Sequence, residues 1–311
     1  MRFSNNWAAK LGTMIALLVL GVTAQAATTL KIATLSPEGT GWMIELRQAA
    51  KSIRERTNDQ VKLKIYPGGV MGDDKAVLRK LRVGQLHGAA MTSGGVMQPY
   101  PDIALYNLPL VFRDSSEVDY VRARLDEKLM AGLREQKFVG FGLAEVGFAY
   151  PMMKDAVTSV ASFQDRRVWA PDNDPGALKA YSSFNITPIP LPIADVLTGL
   201  QTGLIDSIGS PPIGAIALQW HTQVDYALEL PLMYVYGLFA ITERALVAWT
   251  RASKPLSRKS SAPQLPELMQ RRERTTKQRI KRWSIKVCNG CSPQTQNAPN
   301  GTVLPMERTN D

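Results

Sequence analysis

Two hydrophobic periodicities alternate along this chain, and the alternation runs its course twice. Thr28–Leu35 places Lys31 between Leu30 and Ile32, the pattern of a strand with one solvated face. Ser36-Pro37-Glu38-Gly39-Thr40-Gly41 is a loop by its turn residues, and Trp42, Leu46, Ala49 and Ile53 then recur at helical spacing. Val61–Ile65 alternates strictly as a second strand, and Pro67-Gly68-Gly69 ends it. Asp73 is placed to cap a helix carrying Val77, Leu78 and Leu81. Gly88–Thr92 reads as a strand ending at Ser93, Val118, Val121, Leu125 and Leu129 mark a helix, and Phe138–Ala144 reads as a strand.

After Pro151 the pattern restarts. Arg167–Ala170 is a short strand, Pro175–Phe184 a helix, and Thr187–Leu191 a strand that Pro188 and Pro190 confine to an edge or cut short. Ile193, Val196, Leu197 and Leu200 form a helical stripe with Gly203 as its stop; Ile205–Ile208 is a strand and Ile213–Trp220 a helix. Strands alternating with helices imply α/β layers built on mostly parallel sheet. Two such blocks meeting near residue 150 predict two lobes with a ligand cleft between them.

Charge separates this body from its ends. Residues 251–311 hold 13 basic and 4 acidic residues, whereas residues 27–250 hold 22 and 23. The overall charge of +10 therefore belongs to the tail and gives no reason to expect a nucleic-acid partner for the body. At the other end, Arg2 and Lys10 precede an apolar run from Leu11 to Val22, and Ala24-Gln25-Ala26 follows as an A-x-A cleavage site. The run is shorter than the roughly 20 residues that span a bilayer, so residues 1–26 are expected to be a cleaved signal peptide of an exported protein.

Chemistry-bearing motifs are missing. With only His87 and His221, a multi-histidine metal site is excluded, and neither a phosphate-binding glycine loop nor a nucleophile elbow occurs. Cys288-Asn289-Gly290-Cys291 has C-x-x-C spacing without the strand-to-helix setting of a redox pair. The residues point to a binding protein with no cofactor.

Five segments in order resemble the solute-binding proteins of TRAP (tripartite ATP-independent periplasmic) transporters, the DctP family. They are Lys31–Gly39, Tyr66-Pro67-Gly68-Gly69-Val70-Met71-Gly72-Asp73, Leu81–Ala89, Asn107–Arg113 and Asp195–Asp206. The resemblance implies a periplasmic two-lobed receptor that closes on a small, usually anionic, organic solute and delivers it to a small and a large membrane subunit. A ligand-sensing partner of a membrane receptor is the alternative use of the same cleft. It also implies lobe 1 over residues 27–148 with a return segment near 237–250, lobe 2 over 149–236, and a crossing near Glu145–Pro151.

Members that bind simple carboxylates carry an arginine where this chain has Trp169, and a second where it has Ala149. A guanidinium suits a carboxylate because it bonds both oxygens at once; an indole offers a flat face and a single donor. Trp169 is thus either an aromatic wall for the ligand or a core residue, and Trp220 is a similar case. Glu145 and Asp172 are candidate acceptors in the cleft, or solvated carboxylates. Ser36, Thr40, Ser93 and Ser210 lie at the ends of strands, where open α/β sheets bind ligands.

The tail departs from the family. Its basic charge and scattered prolines take the place of the expected closing helices, as a one-base slip of the reading frame would produce. Residues 251–311 are accordingly expected to be poorly ordered, apart from a short helix at Leu265–Trp283.

Overall fold

The computed structural model describes residues 27–157, 160–172, 174–253 and 303–305. In chain order its principal elements are β1 (Thr28–Thr34), α1 (Gly41–Arg56), β2 (Val61–Tyr66), α2 (Asp74–Arg82), β3 (Gly88–Thr92), α3 (Gly94–Met97), α4 (Ser115–Glu135) and β4 (Phe138–Met153). They continue with α5 (Val160–Gln164), β5 (Trp169–Pro171), α6 (Pro175–Ser183), β6 (Ile189–Leu191), α7 (Val196–Thr202), β7 (Ser207–Ser210) and α8 (Pro212–Ala217). The last are β8 (Tyr226–Leu228), β9 (Met233–Thr242), α9 (Glu243–Ser253) and β10 (Val303–Pro305).

Lobe 1 is a sheet in the order β2-β1-β3-β9-β4, with helices on both faces. Because side chains alternate across a strand, its residues fall into two cores. Ala89, Met91, Leu238 and Ala240 pack with Val77, Leu78 and Leu81 of α2 and Val118, Leu129 and Leu133 of α4. Ala90, Phe239 and Ile241 point the other way, onto Met43, Leu46 and Ile53 of α1 and Ala245 of α9. Local signals set the helix ends. Asp73 accepts from the Ala76 N–H at 2.7 Å, and Gly203 closes α7 at φ +73°, a conformation glycine adopts without strain.

Lobe 2 hangs from the far end of β4. That strand pairs with β9 from Phe138 to Ala149, then changes partners and pairs with β7 from Tyr150 to Met153 and with β8 at Met152 and Met153. A parallel bridge from Val168 to Ser207 joins β7 to β5, which pairs with β6. The lobe core gathers Met152, Trp169, Val196, Leu200, Ile205, Ile208, Ala215, Trp220 and Val224. One strand therefore serves both lobes, and β9 carries the chain back.

The expectation of a mostly parallel sheet holds only for β2-β1-β3, for β5-β6 and for the single bridge from Val168 to Ser207. The pairs β3–β9, β4–β9, β4–β7 and β4–β8 are all antiparallel. The reason is topological: β4 leaves lobe 1, so β9, which returns to it, must run the opposite way. β4 is also longer than the predicted Phe138–Ala144. Gly142 and Gly147 have positive φ at two shifts of register, so they bend the strand as bulges and do not end it.

Most of the basic tail, including the expected helix and the two cysteines, lies outside the described residues, as does the expected signal peptide. Arg251–Ser253 finish α9, and Val303–Pro305 add a strand antiparallel to β8. Pro305, which lacks an N–H, is tolerated there because β10 is an edge strand.

Candidate functional site

Because β1, β2 and β3 are parallel, the segments after them emerge at one edge of lobe 1: Leu35–Thr40, Pro67–Asp73 and Ser93. Gly68 N–H donates to the Ser36 carbonyl and Gly69 N–H to the Thr34 carbonyl, each at 3.0 Å, so the first two loops are bound together. Thr92 Oγ1 donates to Asp74 Oδ2 at 3.3 Å, tying the end of β3 to the start of α2. In lobe 2, β5 and β7 run parallel through the Val168–Ser207 bridge and end at Pro171, just before Asp172, and at Ser210. The two strand-end edges meet: Lys75 Nζ on α2 donates to Asp172 Oδ2 and, at 3.3 Å, to the Asp172 carbonyl. A cleft bounded by strand ends of two α/β lobes is where such folds hold small ligands.

The structure sorts the eight candidate residues. Ser36, Thr40 and Ser93 belong to the lobe 1 edge, and Asp172 and Ser210 to the lobe 2 edge. Thr40 is occupied as the cap of α1, its hydroxyl donating to the Pro37 carbonyl at 3.0 Å and accepting from the Met43 N–H. Ser93 is buried and donates to Asn107 Oδ1 at 3.0 Å, and the buried Ser210 donates to the Pro211 carbonyl at 3.0 Å.

Glu145 sits on the crossing strand, bound to a residue the sequence reading passed over. Arg122 of α4, with its side chain 6% exposed, donates to Glu145 Oε1 at 2.8 Å, to Asp126 Oδ2 at 3.0 Å and to the Leu143 carbonyl at 2.8 Å. Tyr106 Oη donates to the other Asp126 oxygen at 2.7 Å. Burial and the neighbouring Glu145 carboxylate both push the Tyr234 hydroxyl pKa above its ordinary value, so that phenol stays neutral. Arg122 lies four residues from Val118 on the apolar stripe of α4, and an arginine in that register was the available signal.

Trp169 and Trp220, which the sequence left open between cleft wall and core, pack within the core of lobe 2. They are 5% and 3% exposed and stack edge to face at 5.3 Å inside the lobe 2 core, and the Trp169 indole N–H donates to the Leu191 carbonyl at 3.0 Å. An aromatic ligand wall needs an open face, and here the single donor is already satisfied. The strand slot that would carry an arginine is filled by core. Sequence reasoning also missed Lys75. A lysine in the first turn of α2 works against the helix dipole, which is a hint that its partner lies elsewhere.

Two α/β lobes joined by two crossing strands, with strand ends facing across the join, define the class of extracellular solute-binding receptors. The sequence profile of the bacterial extracellular solute-binding protein family 7 (DctP) matches residues 32–236, and the chain belongs to that family of binding proteins. Curated relatives include the 2,3-diketo-L-gulonate-binding periplasmic protein YiaO of Escherichia coli, 27% identical over 51% of this chain and 49% of that protein. The sialic acid-binding periplasmic protein SiaP of Vibrio cholerae is 25% identical over 63% of this chain and 62% of its own length. The chain spans about half the length of the curated relatives it matches, 52% and 57% for two others from Haemophilus influenzae and Verminephrobacter eiseniae. Among solved structures, the TRAP periplasmic solute-binding protein of Polaromonas sp. JS666, bound to D-erythronate, superposes with a TM-score of 0.71. It is 15% identical and the match covers 82% of each chain, a likeness of fold. Among the described residues, no helix is long and apolar enough to cross a membrane.

Proposed function

We propose that the chain is the extracytoplasmic solute-binding subunit of a TRAP-type secondary transporter. It works in the periplasm after removal of residues 1–26, takes up a small organic acid in the cleft between its lobes, and hands it to a small and a large membrane subunit. The observation that carries this reading is the meeting of the two strand-end edges, Ser36 and Ser93 on one side and Asp172 and Ser210 on the other, around the crossing strands β4 and β9. Solved neighbours hold D-erythronate, D-glucuronate and galactonate, which share a carboxylate and a row of hydroxyls and so supply the ligand class. With Trp169 and Ala149 in the arginine slots, the acid is held by main-chain donors of the strand-end loops and not by a paired-guanidinium clamp.

Reconstitution tests the reading. A small and a large TRAP membrane subunit from the same genome are placed in proteoliposomes with an imposed ion gradient, and uptake of radiolabelled sugar acids is followed. Uptake that requires the purified chain supports the transporter role. Solute binding without any dependence of uptake on the chain favours the ligand-sensing role.

A further inference from the structure

Lys75 and Asp172 are 97 residues apart in sequence and stand on opposite lobes, yet the ammonium group reaches both the carboxylate and the main-chain carbonyl of Asp172. The ion pairs of Arg47 with Glu38, Arg166 with Asp155 and Arg167 with Asp206 each lie inside one lobe; this one joins the two edges of the cleft. Lys75 is not placed for the benefit of its own helix, because a cation in the first turn opposes the dipole. Asp73 and Asp74 beside it already engage the Ala76 N–H and the Thr92 hydroxyl. Its ammonium group donates twice to Asp172.

We infer that Lys75 and Asp172 form a latch across the cleft and are affinity-determining residues of the binding site that act by holding the lobes closed. The inference rests on the reading of the cleft as a solute site. A contact made only when the lobes are together adds its free energy to the closed arrangement alone. It raises the closed fraction, and with it the apparent affinity for any solute the closed form encloses. The side chains are 49% and 24% exposed, so the pair is partly screened and its effect is modest and salt-sensitive.

The test uses the full chain without solute. Cys288 and Cys291 are replaced by serine, and spin labels are placed at Ala131→Cys in lobe 1 and Ser183→Cys in lobe 2, both exposed positions. Distance distributions are then read by pulsed electron resonance. Lys75→Glu or Asp172→Lys is expected to move population to longer distances, lowering the closed-to-open ratio about two- to fivefold. The double variant Lys75→Glu/Asp172→Lys recovers the original distribution. Sodium chloride at about 1 M lowers the ratio in the unsubstituted chain and leaves Lys75→Gln unmoved. Single variants indistinguishable from the parent, or a double variant as open as the singles, overturn the latch. The neutral pair Lys75→Gln and Asp172→Asn gives the same reading should a reversed charge prevent folding. No solute enters the measurement, so its outcome is independent of whether the proposed acids bind.

Discussion

Arg122 on α4 and Glu145 on β4 are joined at 2.8 Å, and through that contact the longest helix of lobe 1 grips the strand that leaves it for lobe 2. The bond lies close to the bulge at Gly147, four residues before the strand changes partners at Ala149 and Tyr150. The anchorage of the hinge therefore depends on a buried charge whose acceptors come from two elements.

Removing that charge strands its partners. Arg122→Ala leaves Glu145 and Asp126 without their guanidinium and is expected to cost about 3–5 kcal/mol. Glu145→Gln keeps the shape and an acceptor and is expected to cost less. Urea denaturation of the two variants measures the difference, and an Arg122→Ala loss below about 1 kcal/mol contradicts the network.

Trp169 makes a prediction opposite to that for a ligand wall. Trp169→Phe keeps an aromatic ring, though a smaller one, and leaves the Leu191 carbonyl without its donor, at a cost of at least about 1–3 kcal/mol. The melting temperature of the variant falls, while the further rise produced by a bound solute stays as in the parent. Loss of the solute-induced rise with an unchanged basal melting temperature would put Trp169 back in the cleft.

Gly147 has φ +113° within the bulge of β4, a conformation that any side chain strains. Beyond its chain neighbours, no atom lies within 4 Å of where a Cβ would stand, so the effect of Gly147→Ala is one of backbone. The expected loss is about 1–3 kcal/mol, read by chemical denaturation. A neutral result would show that the bulge relaxes freely.

His87 predicts a pH dependence. Its Nδ1 accepts from the Lys31 N–H at 3.0 Å, and burial first, then the charges of Lys31 and Arg244, hold its pKa below 6.5. The unfolded chain thus takes up the proton more readily than the folded one. The contribution is complete above pH 6.5 and is lost as pH falls through the lower folded value. Between those limits, stability should fall less steeply with acid in His87→Gln than in the parent, and equal slopes would remove His87 as the cause.

The strands and helices were legible because their causes are local. Alternation in Val61–Ile65, the cap at Asp73 and the stop at Gly203 each act within a few residues. The direction of β9 was not legible, since it is fixed by the excursion of the chain through lobe 2. The strand read as Phe138–Ala144 runs on to Met153, because a strand paired along its length absorbs the bulges at Gly142 and Gly147 and the proline at 151. The strand-end loops could be named from the order of elements, whereas Lys75 and Asp172 are brought together only by the docking of lobes. The burial of Trp169 followed from packing against Trp220, 51 positions away.

The central claim, that the cleft takes up a small organic acid, is tested most directly by calorimetric titration of the purified chain with D-erythronate, D-glucuronate and galactonate, each beside its uncharged alditol. The account predicts saturable binding of at least one acid, little heat from the matching alditol, and stabilisation of about 2.7 kcal/mol at a hundredfold excess over Kd. Binding of alditol and acid with equal affinity, or no binding of any acid by a chain that unfolds cooperatively, would contradict it.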